Sequence, residues 1–428
     1  MAVIGIDWGT HSSKWSRSDD HGKATIGSIY SSTLAFDGTQ KSVMFPRGAE
    51  EPRRSPPGLQ YAQRLKRKMI EDPNASFWEG KRADSGMSLG ASVVFSLCVL
   101  IREAWDNMPV ENRQEVSEIA FSFPNWSLNE RDQNAQALQN FRTAAMTAVK
   151  IFRGDPDQAP RAGQFYPVEK FADSVRVSLA QPGESFSADR IEAMDLKDDV
   201  DGTTVTYIME SVAAGLPYLE RLDRQNRQVR RLLVVDAGAG STDIGYMGTW
   251  RTTQSEDFYF IFFPPAPTCG LAGEMITQML SRQLMISPQE AEQEKIRLSL
   301  AGQLHEKLPY LGEEWIPNLG GRVYDYLSKI DRHAFMRMPV SLNVILTGGS
   351  GAISDLGNEV MGKAKDGLTA NRTETGDRPF KATQTLQERI ELGVGLDDFE
   401  TGRMAVSLGA CWPQKKKLIF WRKLEDLV

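Results

Sequence analysis

The stretch LVVDAGAGSTD, residues 233–243, decides the fold. Residues 232–235 are fully apolar, as in a buried strand, and the run ends in the carboxylate of Asp236. Gly238, Ala239 and Gly240 are small enough to let backbone amides approach an anion, and the hydroxyls of Ser241 and Thr242 and a second carboxylate, Asp243, follow. The same order of groups opens the chain: Val3, Ile4 and Ile6 lead to Asp7, and Gly9, Thr10, His11, Ser12 and Lys14 make the turn after it. Taken alone, each stretch is explained as well by a hairpin turn with a capping aspartate. Together, two such turns can clasp one polyphosphate from opposite sides. A third strand, residues 344–346, runs through Thr347 into Gly348, Gly349, Ser350 and Gly351, where glycine lets a flat base or ribose rest on backbone.

Between these turns, strand and helix patterns alternate, which predicts an α/β protein. Strands are expected at residues 25–34, 116–123, 205–209 and 258–263. Helices are expected at 60–71, 89–108, 211–221, 270–304 with a break at Ser287 and Pro288, and 321–338. The strand stopped by Pro124 leads into a helix running to about residue 149, with Ser127 or Asn129 as its cap and Glu130 in its first turn. Residues 152–202 read as an inserted excursion broken by Gly154, Pro156, Pro160, Gly163, Pro182 and Gly183. The strand–turn–strand pattern in both halves is a weak internal echo of a duplicated lobe.

At 428 residues the chain exceeds one ordinary core. Its net charge of -6 and pI near 5.5 imply no bulk attraction to nucleic acid or anionic lipid. Three dispersed cysteines and four scattered histidines exclude a local metal-ligand cluster and point to a reducing, cytoplasmic setting. The N-terminus enters a strand at once, so no leader is expected, and residues 93–101 are too short an apolar run to cross a bilayer.

The order of the three turns, together with the run Met209, Glu210, Ser211, Val212, Ala213, Ala214 and Gly215, resembles the phosphate-1, connecting, phosphate-2 and adenosine motifs of the superfamily joining actins, sugar kinases and heat-shock chaperones. The likeness spans residues 3–410 and is sharp at the motifs. It is closest to the nucleotide-binding domain of the seventy-kilodalton chaperones, through Phe123, Pro124, Asn125 and the Glu210 run. More loosely, Gly270, Gly273 and Glu274, then Glu292, Lys295, Leu298 and Ser299, resemble that family's second-lobe turn and ribose-reaching helix; a plain amphipathic helix explains them nearly as well.

The resemblance implies a two-lobed actin-like (ribonuclease H-like) ATPase fold with an interlobe nucleotide cleft. The first lobe would span 1–225, with the insertion near 152–202, and the second 226–400. Residues 401–428 would supply a helix returning to the first lobe and a tail. It also implies ATP or ADP with Mg²⁺, the metal facing Asp7 and Asp236 largely through waters. Thr10 and Ser241 would contact phosphate, and Glu210 and Asp243 would orient the attacking water or accept its proton. Gln63 stands where the family carries a lysine near the γ-phosphate, and Ile296 where it carries an adenine-stacking arginine. Hydrolysis is therefore expected to be slow, or assisted by Lys14, Arg64 or Lys66.

The expected activity is a chaperone-like ATPase switch without a peptide-binding domain, acting on a separate protein partner. The alternatives are an actin-like filament ATPase and a small-molecule kinase. The G-x-x-x-x-G-K string at 357–363 lacks the Ser or Thr that a phosphate loop needs. The basic and apolar tail, 415–428, reads as a closing helix packed on the body, with peripheral membrane contact or partner docking as the other reading. Oligomeric state is left open by the sequence.

Overall fold

The computed structural model describes residues 2–19, 23–47, 58–71, 76–79, 86–125, 133–183, 186, 190, 196–225, 231–251, 258–263, 266, 268–330, 341–350, 353, 356–372, 381–385, 398–412 and 418–420. The protein is mixed α/β, and its contacts divide it into two units. One comprises Met1–Met209 and Ala410–Pro413; the other comprises Glu210–Gly409 and Gln414–Val428.

The first unit holds strands β1 (Ala2–Asp7), β2 (Ser12–Ser18), β3 (Ala24–Ser31), β4 (Leu34–Asp37), β5 (Ser42–Met44), β6 (Leu59–Ala62), β7 (Val116–Phe123), β8 (Tyr166–Pro167), β9 (Lys197–Val200) and β10 (Thr203–Met209). Its main sheet has the order β3-β2-β1-β7-β10-β9, and a smaller one the order β6-β4-β5-β8. β1 runs antiparallel to β2 and parallel to β7, which is parallel to β10.

The longer helices of this unit are α1 (Leu65–Glu71), α2 (Leu89–Asp106), α3 (Gln133–Gly154) and α4 (Val168–Ser178). α2 and α3 pack on each other and on the sheet, burying Val93, Leu97, Ile101, Phe141 and Val149. Ser88 caps α2 by accepting from the Ala91 amide at 3.2 Å.

Two expectations are corrected here. The helix expected over 60–71 is strand β6 followed by α1, with Arg64 at φ 58° between them, outside the helical region. The excursion at 152–202 is not all irregular: it contains α4, and β9 completes the edge of the main sheet by pairing antiparallel with β10. Asp201 and Gly202, at φ 51° and 78°, make the two-residue hairpin turn that joins them. The expected cap of α3 at Ser127 or Asn129, with Glu130, lies outside the described residues.

Tyr30 ties the sheet to α2, donating to Glu103 Oε2 at 2.9 Å. Burial, and then the Glu103 charge, push its phenol from 10 up to about 12. The folded state thus favours the protonated phenol. Its contribution is complete below pH 10 and is lost as pH rises towards 12, amounting to about 1–2 kcal/mol once solvent screening is allowed for. The urea midpoint of wild type is expected to fall more steeply across that window than that of Tyr30→Phe; equal slopes would exclude this phenol as the cause.

The second unit repeats the plan. β11 (Arg231–Ala237), β12 (Thr242–Arg251), β13 (Phe258–Phe262), β14 (Ser341–Thr347), β15 (Lys381–Thr385) and β16 (Leu418–Phe420) take the order β15-β14-β11-β12-β13-β16. β11, β12 and β13 form an antiparallel meander, and β14 and β15 continue parallel on the far side of β11. Counted within each unit's main sheet, four neighbouring strands take the order third-second-first-fourth in both, and a further strand lies parallel beside the fourth: β10 in the first unit and β15 in the second.

Its longer helices are α5 (Glu210–Gln225), α6 (Gly273–Leu284), α7 (Pro288–Leu300), α8 (Ile316–Lys329), α9 (Leu356–Arg372) and α10 (Asp398–Ala410). The break expected at Ser287 and Pro288 is the start of α7, where Ser287 and Glu290 form a reciprocal cap. The G-x-x-x-x-G-K string lies inside α9, so it forms no phosphate loop.

The tail is corrected as well. Leu418–Phe420 form not a helix but a strand, paired in parallel with β13, and Leu418 is buried. Residues 413–417 and 421–428 lie outside the described residues. Among the described residues no helix is long and apolar enough to cross a membrane.

Candidate functional site

In the first unit β1 delivers Asp7, 4% exposed, to the hairpin where it stands opposite Lys14. Lys14 Nζ donates to Asp7 Oδ2 at 2.8 Å, and Ser122 Oγ, near the end of β7, donates to Oδ1 at 3.4 Å. A Cβ on Gly9 would lie 2.2 Å from the Ser12 carbonyl oxygen, so only glycine admits this bend. Thr10, His11 and Ser12 are half-buried in the turn. The His11 carbonyl accepts from the Ser32 amide at 2.8 Å, while its Nδ1 is buried without a partner among the described residues.

The second unit joins the rest of the expected residues, apart from those of the first turn, on one scaffold. Asp236, next to last in β11, is 7% exposed, and the Thr347 hydroxyl donates to its Oδ1 at 2.9 Å. The next bend is anchored from outside. The Gly238 carbonyl accepts from the Gly273 amide at 2.9 Å, and the Ala239 carbonyl accepts from Glu274 at 2.8 Å.

These are the opening amides of α6, so that helix end is occupied by the turn. In a trans peptide the N–H points opposite to the C=O. With both carbonyls turned to α6, the amides of Ala239 and Gly240 point away from it, and among the described residues they have no protein acceptor. Successive amides aimed this way form an anion-binding concavity.

Ser241 Oγ donates to Asp243 Oδ2 at 3.3 Å, and Thr268 Oγ1 donates to Asp243 Oδ1 at 2.6 Å. Thr242 faces inward: it is fully buried, its hydroxyl donates to the Leu271 carbonyl, and its amide pairs with Cys269. Burial raises the Cys269 thiol above its usual range.

The third turn closes on the second. Ser350 N donates to the Ala237 carbonyl at 3.0 Å. A Cβ on Gly273 would lie 2.3 Å from Ser350 Oγ. Gly348 adopts φ 75°, and a Cβ on Gly349 would meet nothing within 4 Å. Gly351 lies outside the described residues.

Lys295, 3% exposed, places its ammonium 3.2 Å from the Gly273 carbonyl, 2.9 Å from Thr277 Oγ1 and 2.6 Å from Glu292 Oε2. All three of its protons thereby serve the junction of α6 and α7. Ser299 is buried one turn further along α7, and Glu210, 5% exposed, opens α5.

Ser122 and Thr268 were not singled out by the sequence, and Thr347 was quoted in the third stretch without a role. Thr347 adjoins the third glycine turn and could have been found there; the other two carry no local signal. Among the described residues no cluster of three or more His, Cys, Asp or Glu side chains forms a metal cage. Asp7 and Asp236 each accept a hydrogen bond from a hydroxyl, and either carboxylate, taken by itself, is of the oxygen-donor type that a hard divalent ion accepts together with waters. No protein-family model matches the chain, and a search of curated proteins finds no match to it.

Proposed function

We propose that the chain binds and hydrolyses ATP as a chaperone-like conformational switch acting on a separate protein partner, each unit being an actin-like, ribonuclease H-like lobe. One observation carries this reading. Both main sheets share the strand run third-second-first-fourth, and in both the first strand has a buried aspartate at or next to its end, followed by a glycine-containing hairpin turn.

The phosphate contacts would be the Ala239 and Gly240 amides and Ser241 in one turn, and Thr10, Ser12 and Lys14 in the other. Gly348 and Gly349 would lie under the ribose or base. Mg²⁺ would be held through waters by Asp7 and Asp236, where it would offset phosphate charge.

In hydrolysis, water forms a bond to the γ-phosphorus as the bridging P–O bond breaks and ADP leaves. A water proton passes to Asp243, with Glu210 the second candidate carboxylate. Gln63, at the bend between β6 and α1, cannot neutralise developing phosphoryl charge, so turnover is slow.

Calorimetric titration with Mg-ATP tests the reading. Wild type is expected to bind one nucleotide per chain, and Asp7→Ala and Asp236→Ala each to weaken binding at least about tenfold. Equal binding by all three proteins would sink the assignment, and a loss confined to Asp236→Ala would remove the first turn from the site.

A further inference from the structure

We infer that Thr268, which belongs to none of the three glycine turns, is the positioning residue for Asp243; the inference rests on the hydrolytic reading above. An aspartate on a strand is loosely specified about its last torsion, because a terminal carboxylate rotates over a broad, two-fold well. Asp243 is 1% exposed and lies opposite Asp236 in the β11–β12 hairpin. Its carboxylate receives one hydroxyl on each oxygen, Ser241 at 3.3 Å and Thr268 at 2.6 Å. The shorter contact belongs to Thr268, and that side chain is the stiffer of the two because it is branched at Cβ.

Thr268 is itself held in place. The next residue, Cys269, exchanges two backbone hydrogen bonds with Thr242, at 2.9 and 3.0 Å. Two residues further on, the Leu271 carbonyl accepts the Thr242 hydroxyl, and the segment then enters α6, whose first amides hold the carbonyls of Gly238 and Ala239. One strap therefore fixes both the anion-facing amides and the plane of the carboxylate. Ser241 lies within the turn and is itself a candidate phosphate contact; when its hydroxyl turns to phosphate, Thr268 keeps the carboxylate oriented towards the attacking water.

The test is steady-state ATP hydrolysis and Mg-ATP titration on the full chain, comparing wild type with Thr268→Val, Thr268→Ser and Asp243→Asn, each also melted thermally. Thr268→Val keeps the shape and loses the proton. Its kcat is expected to fall roughly ten- to hundredfold, the scale of a small misplacement of a reacting group, with nucleotide affinity within about twofold of wild type. Thr268→Ser restores the hydroxyl and should recover most of kcat, a rescue that a packing role would not produce.

Unchanged kcat in Thr268→Val, a rise in KM alone, or a Thr268→Ser variant as slow as the valine would each overturn the role of Thr268. Should the valine variant fail to fold, the serine variant decides: near-normal turnover supports the role, and impaired turnover overturns it. The underlying reading fails separately. If wild type does not hydrolyse ATP, or Asp243→Asn hydrolyses it at the wild-type rate, Asp243 is not the base and Thr268 has nothing to position.

Discussion

Gly409→Ala is expected to destabilise the second unit by about 3 kcal/mol or more, although the substitution lies inside a helix where alanine would ordinarily gain about 1 kcal/mol. The cause is a single crossing of helices. Pro217 lies inside α5, and because proline has no amide hydrogen, the carbonyl four residues earlier, on Ala213, loses its helical donor. Gly409 of α10 comes against that carbonyl. An ideal Cβ on Gly409 would lie 1.7 Å from Ala213 O and 2.4 Å from its carbon.

The glycine hydrogen on that side therefore points at the oxygen, a weak C–H···O contact in place of the missing N–H. A methyl group cannot fit there unless one helix backbone moves. Thermal unfolding should show a lowering of roughly 6–12 °C for a unit of this size. Gly362→Ala is the control: it also lies in a helix, α9, but its Cβ would meet nothing within 4 Å, and it should be neutral or slightly stabilising. Equal shifts in the two variants would show that the Ala213 contact is not what limits position 409.

What could be read from the sequence was whatever is local. An apolar run ending in aspartate and followed by small residues describes both hairpin turns because strand, bend and next strand lie within about a dozen residues of each other. Misreadings arose where a distant partner decides the outcome. Leu418, Ile419 and Phe420 are as compatible with a helix as with a strand, and the edge of β13 makes them a strand. The pattern over 60–71 was helical in spacing, but the outward strand edge of β4 takes up residues 59–62 first.

The same division runs through the candidate site. Asp236, Gly238 and Ser241 announce themselves in one stretch. No spacing rule connects residue 268 to 243, or 122 to 7, because those hydroxyls are brought in by tertiary structure alone. Lys295, singled out only through the family resemblance, has three partners within the protein that no spacing rule foretold.

Gly348→Ala should be the most damaging change in the candidate site, and its neighbour shows why. At φ 75° Gly348 occupies left-handed backbone that costs an alanine roughly 1–2 kcal/mol before any contact is counted. Its Cβ would also lie 2.5 Å from the Ala237 carbonyl oxygen and 2.8 Å from Asp236 Oδ1. Relief requires the third turn to lift away, which breaks the Thr347 hydrogen bond to Asp236 and the Ser350 hydrogen bond to Ala237.

Stability should therefore fall by about 2–4 kcal/mol and Mg-ATP affinity by about thirtyfold or more. Gly349→Ala separates the two effects. A Cβ there meets nothing within 4 Å and the backbone is not in the left-handed region, so the melting temperature should stay near that of wild type. If a ribose or base rests on that backbone, the added methyl group still obstructs it, and affinity drops without loss of stability. An unaltered affinity in Gly349→Ala would mean that no ligand lies against Gly349, and the third turn would then be a brace for Asp236 rather than a seat for the nucleoside.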